Sequence, residues 1–325
     1  MKISTKHFFL LTALAATMGV AGSTFAQLNG HGNIIGTIVF DQEQLKQKGY
    51  KLVAINEDPG RTMAAELFAT ADQEAVKKYM PEGSAPASMS SFVLFAGEDV
   101  ILFDAGLGND LWVSKLNELV KPENVKLILL THMHGDHIGG LLHTTTFQRD
   151  GVTHADVARR FRNAKVLVSE PEYEQHFPTG TNTTIGLQPF RIKDAYGQDF
   201  TTFKFDEVVF ENSEVRVKAM DASGHTPGHT VFLIESPDAA QRKEEKILIL
   251  GDLLHAAALQ FPFPEACARF DMDQPKAIAA RKRILDFAAQ EKIPVAGMHF
   301  PPPHIGTVEK NDQGGYIFRS DTSSH

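Results

Sequence analysis

One cysteine, Cys267, is all this chain of 325 residues carries, so no disulfide can close within it. Cys267 is read as a small apolar residue of the interior and not as a reactive thiol. A positive balance is also missing: 40 acidic side chains face 32 basic ones, for a net charge of −8. That excludes the electrostatic footprint needed to hold a phosphate backbone, and it offers an anionic lipid surface no attraction. Internal repeats and low-complexity tracts are absent. The GxG at Gly30 to Gly32 precedes no clear helix, so dinucleotide binding is set aside. Beyond the first residues, no apolar run approaches the ~20 positions that span a bilayer.

The first residues are different. Lys2 and Lys6 precede an apolar stretch, residues 8–20, and Ser23-Thr24-Phe25-Ala26 then offers small side chains for cleavage after Ala26. Residues 1–26 are expected to be a cleavable signal peptide, which places the mature chain, 27–325, in the periplasm or outside the cell. No membrane association is expected once the leader is removed. The mature chain is expected to be a single catalytic domain.

Apolar periodicity predicts strands at 34–40 and 50–56, helical character over 64–79, and a loop at 81–91. A hairpin is expected from 92–96 and 100–104, followed by a helix at 111–120 and strands at 125–130 and 165–169. Residues 178–188 read as a loop at the substrate rim. Strands at 208–210, 215–220, 231–235 and 246–250 follow, then an amphipathic helix at 275–290 and a last strand at 293–296. Two successive groups of strands mixed with helices predict a layered α/β sandwich.

The chemistry is concentrated at Thr131-His132-Met133-His134-Gly135-Asp136-His137, directly after the apolar run 127–130. Buried imidazoles and carboxylates cost several kcal/mol each unless paired or coordinated, on the order of 2–7 kcal/mol. Crowding four onto one turn makes sense when divalent cations sit among them. Three more ligand types stand where strands give way to loops: His229 in Ser223-Gly224-His225-Thr226-Pro227-Gly228-His229, Asp252 after Leu250-Gly251, and His299 after Met298. His143, His154 and His176 are given no metal role.

The order HxHxDH, HTPGH, GD after a strand and a late His resembles the metallo-β-lactamase superfamily. The stretches THMHGDHIGG, SGHTPGHTVFLIES, LILGDLLHAAALQF and HFPPPHIG are similar to its methyl parathion hydrolase and acyl-homoserine lactonase-like branch. The resemblance implies an αββα four-layer sandwich with a metal site at one edge, between the sheets. It implies that His132, His134 and His229 hold one metal, that Asp136, His137 and His299 hold the second, and that Asp252 bridges both. Asp104 matches the carboxylate that orients a metal histidine. Two divalent ions are implied, Zn first with Fe, Mn or Co as alternatives, and a bridging hydroxide as nucleophile.

Other branches of that superfamily fit less well. Flavodiiron proteins place Glu where this chain has His134. Nucleases insert a domain into the interval between His229 and His299. True metallo-β-lactamases lack an aspartate at the position of Asp252, and glyoxalase II enzymes carry basic residues where this chain has Pro301-Pro302-Pro303-His304. The expected activity is therefore opening of lactones or cleavage of related esters, with phosphotriesters as the alternative substrate. A β-lactamase or a catalytically silent metal-binding module are the further alternatives. Asp136, Asp252 and His255 are the catalytic candidates. Asp136 is read as a ligand of the second metal rather than a free base, and His255 as hydrogen-bond donor to the substrate oxygen. Phe261, Phe263, Phe300 and His304 are expected to line the substrate pocket, with Trp112 nearby. The expected partner is a small molecule and not nucleic acid; a homodimer is left open.

Overall fold

A computed structural model describes residues 27–28, 34–35, 50–179, 186–237 and 246–320. The leader, most of the strand expected at 34–40 and residues 180–185 of the expected rim loop lie outside the described residues.

The sequence builds two mixed sheets that face each other. The first runs in the order Phe200–Phe203, Lys165–Ser169, Leu127–Leu129, Asp99–Phe103, Ser90–Ala96, Tyr50–Asn56. Its first three pairings, from the edge strand Phe200–Phe203 through Asp99–Phe103, are parallel; the last two are antiparallel. The second runs Val208–Glu211, Arg216–Asp221, Thr230–Glu235, Ile247–Ile249, Val295–Ala296, Ile305–Lys310, Tyr316–Arg319. Only Ile247–Ile249 with Val295–Ala296 is parallel there.

One core lies between the sheets, where Leu52, Phe92, Leu94, Ile101, Phe103 and Leu129 meet Val217, Phe232, Ile234, Ile249 and Met298. The outer face of the first sheet is covered by the helices Asp110–Leu119 and Leu187–Tyr196 through Trp112, Leu116, Ile192 and Tyr196. The helix Gln274–Glu291 covers the second sheet, burying Ala277, Ala280, Arg281, Ile284, Leu285 and Ala288 as one stripe at helical spacing. Asp273 caps its start by accepting from the Lys276 N–H, with Pro275 in the first turn. Burial of each large aliphatic or aromatic side chain contributes roughly 1.5–3 kcal/mol. The layers are those of an αββα sandwich.

Register then brings the chemistry to one edge. Leu127–Leu129 and Asp99–Phe103 are parallel neighbours, so their carboxyl ends emerge together; they deliver Thr131-His132 and Asp104 side by side. In the second sheet Phe232 pairs with Ile249, antiparallel, so the start of Thr230–Glu235 lies beside the end of Ile247–Ile249. Val295–Ala296 runs parallel to the latter and leads to His299.

Several expectations are corrected. The helical stretch at 64–79 is two pieces, a 3-10 turn Ala65–Phe68 and the helix Gln73–Tyr79, because Asp72 caps a new start by accepting from the Glu74 N–H. The loop at 81–91 contains the short strand Ser84–Pro86, paired with Thr62–Ala64. An unforeseen hairpin, Leu142–Arg149 with Val152–Arg159, turns at Asp150-Gly151, both with positive φ. That Asp-Gly pair is the strongest short-range hairpin signal a sequence offers. No helix among the described residues is long and apolar enough to cross a membrane.

Candidate metal centre

The turn after Leu127–Leu129 is fixed from below by Asp104. One carboxylate oxygen accepts the Thr131 N–H at 2.8 Å; the other accepts the Thr131 hydroxyl at 2.7 Å and the His137 Nδ1–H at 2.6 Å. With Nδ1 protonated toward Asp104, the Nε2 lone pair of His137 faces into the site. His299 is set the same way, its Nδ1 donating to the Ser88 carbonyl at 3.0 Å. Asp136 Oδ2 lies 3.7 Å from His137 Nε2 and 3.8 Å from His299 Nε2, and these three form one potential metal-holding group.

A second group converges beside it. His134 Nδ1 lies 2.9 Å from His132 Nε2 and 3.0 Å from His225 Nε2. His225 Nδ1 donates to Asp271 at 3.0 Å, so its Nε2 lone pair also points inward. Asp252 stands between the groups. Its Oδ1 is 3.0 Å from His137 Nε2 and 3.1 Å from His299 Nε2, while its Oδ2 is 3.4 Å from His225 Nε2 and 3.7 Å from His132 Nε2. His132, His134, His225 and Asp252 have ligand atoms close enough together to share one ion.

Two buried atoms test whether cations fit. His137 Nε2 and Asp252 Oδ1 have no hydrogen-bond partner, although they face each other. A ring nitrogen and a carboxylate oxygen at that separation need a proton or a metal ion between them, and neither atom meets hydrogen-bond geometry. Imidazole and carboxylate donors of this kind suit divalent metals. The clustered side chains have the capacity to hold one or two such ions.

Electrostatics follow the same layout. Burial, with His137 close by, holds His132 well below the usual histidine range. Burial likewise pushes His225 down to about 4, against the opposing hydrogen bond to Asp271. Neutral rings are the ligand form. Burial works to raise Asp252, but His137, His299 and His132 outweigh it and keep its carboxyl well below the ordinary carboxylate range. At His137 burial is overcome instead by Asp252, Asp104 and Asp136, which raise it.

The expected first triad is corrected at one position. His229 belongs to none of the metal-holding groups. Its Nδ1 donates to the Ala222 carbonyl at 3.2 Å and its Nε2 accepts the Asp252 N–H at 2.9 Å, which uses the lone pair a metal would need. His225 takes that place. Both histidines stand in the same HTPGH segment, but the strand begins at Thr230, so His229 is tucked behind the strand end while the tight turn carries His225 forward.

The expected pocket wall is corrected too. Phe261 and Phe300 are 1 % and 0 % exposed and pack with Phe318 in the core under the helix Gln274–Glu291. His304 is 0 % exposed, with Nδ1 donating to the Phe300 carbonyl. Trp112 is buried as well, donating to Ser91. Phe263 is half-buried against Phe68, Met63 and Leu259. Two prolines keep the 261–264 stretch irregular, yet irregular backbone here still faces inward. The apolar groups beside the site are Phe270, whose ring is 5.9 Å from that of His255, and the exposed Met272, whose N–H donates to the His225 carbonyl.

His255 is buried against the site, stacked on His299 at 5.4 Å, with Nε2 3.2 Å from Asp252 Oδ2. Neither of its ring nitrogens has a hydrogen-bond partner. Cys267 is buried, and burial raises its thiol to about 11. His176 lies 3.7 Å from Glu172, and the side chain of His154 is outside the described residues.

Three residues that matter to the site carried no motif, Asp271, Arg281 and Glu172, while His225 stood in the HTPGH motif without being chosen. Arg281, 1 % exposed, donates to the carbonyls of Leu253, Pro264 and Ala266 and to Asp271, and so holds the stretch that follows Asp252.

Comparison with known proteins places this geometry. Among solved structures, hydrolase AbOPH of the beta lactamase superfamily superposes with a TM-score of 0.71 at 24% identity, over 90% of this chain and 100% of that one. AidC, described as a dizinc quorum-quenching lactonase, gives 0.68 at 20% identity, over 89% and 99%. Curated relatives include an atrochrysone carboxyl ACP thioesterase of Aspergillus chevalieri, 24% identical over 53% of this chain and 42% of the relative. The exodeoxyribonuclease WalJ of Streptococcus pneumoniae is 28% identical over 52% of this chain and 68% of its own length. The chain spans about two fifths of the length of the first of these relatives. The sequence profile of the Metallo-beta-lactamase superfamily matches residues 86–290. The chain belongs to the metallo-beta-lactamase superfamily.

Proposed function

We propose that the protein opens lactones or cleaves related carboxylic esters with two divalent metal ions, Zn foremost, at this centre. The observation that carries the reading is the Asp252 carboxylate, which turns one oxygen toward His132 and His225 and the other toward His137 and His299. His132, His134 and His225 would hold one ion, Asp136, His137 and His299 the other, and Asp252 both. Ions bound there would lower the pKa of a water and polarise the substrate's acyl or phosphoryl oxygen.

The chain's own side chains supply the rest. Asp104 and Asp271 hold two of the histidines in the tautomer that presents a lone pair inward. His255, whose Nε2 faces Asp252 Oδ2 at 3.2 Å and whose Nδ1 has no hydrogen-bond partner, is the group we assign to donate to the substrate's oxygen as charge develops on it. Asp136, with a quarter of its side chain exposed, and the partly buried His134 are the members of the cluster open to solvent and to an entering substrate. Phe270 and Met272 give that entrance an apolar side, suited to an acyl or aryl group. The likeness in fold to a lactonase and to hydrolase AbOPH supports the same class. Export is part of the proposal: a mature protein beginning at Gln27 would establish cleavage after Ala26.

The test is a rate comparison on the purified mature protein with a long-chain homoserine lactone, an aryl ester and a methyl phosphotriester, alongside metal analysis. Turnover of the lactone or ester above the phosphotriester is expected, with two metals per chain. Faster phosphotriester cleavage would shift the assignment to that substrate; no turnover with one metal or fewer would overturn it.

A further inference from the structure

Both triads draw ligands from the two sheets; in the second the Ser88 carbonyl, just ahead of the first-sheet strand Ser90–Ala96, holds His299, and the first needs a comparable tie. His132 and His134 ride on the turn leaving a strand of the first sheet, while His225 rides on the loop joining Arg216–Asp221 to Thr230–Glu235 in the second. Their ring nitrogens must hold positions about 3 Å apart across that junction. Something other than the strands has to set the distance.

Glu172 stands at that junction. It lies on the short helix Glu170–His176 and is 0 % exposed. One of its carboxylate oxygens accepts the N–H of Met133, the residue between His132 and His134, at 2.9 Å. The other accepts the hydroxyl of Thr226, next to His225, at 2.6 Å and the Gly228 N–H at 3.1 Å. The helix is pressed against the same loop: Ser169, its cap, donates to the Gly228 carbonyl at 2.6 Å, and a Cβ on Gly228 would stand 2.2 Å from the Glu172 nitrogen. No residue larger than glycine fits at 228 with the helix in place. A single carboxylate therefore takes one loop on each oxygen.

We propose that Glu172 is a positioning residue for the first metal triad, setting the reach between His132 and His134 on one loop and His225 on the other. The proposal rests on the reading that these three histidines hold a metal. Glu172 touches no ligand atom; it acts through the backbone of Met133 and Gly228 and the hydroxyl of Thr226. The second triad has no such dependence, since Asp104 and the Ser88 carbonyl orient its histidines.

Glu172→Gln keeps the shape but puts an amide N–H₂ against donors on one side. In the full mature chain, stepwise metal removal by a chromophoric chelator should show one ion held about 10–100-fold more weakly and the other unchanged. The visible spectrum of the cobalt(II)-substituted protein should change at one ion only, a readout that a loss of stability alone does not move. Thr226→Val removes one donor and leaves the carboxylate, and should weaken the same ion by a smaller factor; it decides the question if Glu172→Gln does not fold. Unchanged affinity and spectrum in the folded variant would overturn the positioning role, as would equal weakening of both ions. An unmodified protein that binds no metal would instead sink the reading on which the proposal rests.

Discussion

The two halves of the metal centre are built by different means. The half formed by Asp136, His137 and His299 is oriented from strand ends of the first sheet: Asp104, directly after Asp99–Phe103, holds His137 and Thr131 with both oxygens, and the Ser88 carbonyl, just ahead of Ser90–Ala96, holds His299. The half formed by His132, His134 and His225 draws on groups outside the strands. Asp271 holds His225 from the irregular segment ahead of the helix Gln274–Glu291, and Asp271 is itself shared with the Ala268 N–H and the buried Arg281. The difference teaches how such a site is divided between strand ends, which place ligands by register, and loops, which need buried charges to hold them.

The largest effect should come from removing what the halves share. Asp252→Asn takes away the carboxylate facing both, and is expected to weaken retention of both ions and lower kcat/KM by about 10³-fold or more, since each lost Lewis acid is worth several kcal/mol. Metal analysis and steady-state kinetics check this; a variant that loses only one ion would break the symmetry of the account.

Next come the orienting carboxylates, which sharpen the contrast. Asp104→Asn should weaken one ion about 100-fold with little loss of fold, because its histidine has no other partner of that kind. Asp271→Asn should weaken the other ion nearer 10-fold but cost about 3 kcal/mol of stability, because it leaves the Arg281 guanidinium buried without its counter-charge. Chelator competition and denaturant melts read the two effects separately. Equal stability losses would remove the distinction.

Much of this was legible in sequence and some was not, for physical reasons. The sandwich and the HxHxDH turn could be read because apolar runs mark buried strands and four ligand types in one turn have no packing explanation. Asp104 was legible through the family resemblance alone, and the parallel pairing that sets it beside Thr131 is seen only in the fold. His225 was misassigned in favour of His229 because ligand spacing along a turn does not reveal which ring nitrogen keeps a free lone pair; only the hydrogen bond from the Asp252 N–H decides it. Asp271, Arg281 and Glu172 act across long sequence separations from irregular segments, where no periodicity marks a residue's neighbours. Phe261 and Phe300 were mistaken for a wall because proximity in sequence to Asp252 and His299 does not say which side of the backbone faces the core.

That last point yields the smallest effect on catalysis. Phe261→Ala should cost about 3–5 kcal/mol of stability through the cavity it leaves and alter KM little in the folded fraction. Phe270→Ala should raise KM about 5-fold, roughly 1 kcal/mol of apolar contact, and leave stability nearly untouched. Urea melts and KM values for an ester substrate test the pair; the reverse pattern would return Phe261 to the pocket.

The most direct test of the centre as described is the metal content of the purified protein beside His225→Ala and His229→Ala. The account predicts two ions per chain in the unmodified protein, one in His225→Ala, and two, less tightly held, in His229→Ala. Two ions retained by His225→Ala and one lost by His229→Ala would contradict it.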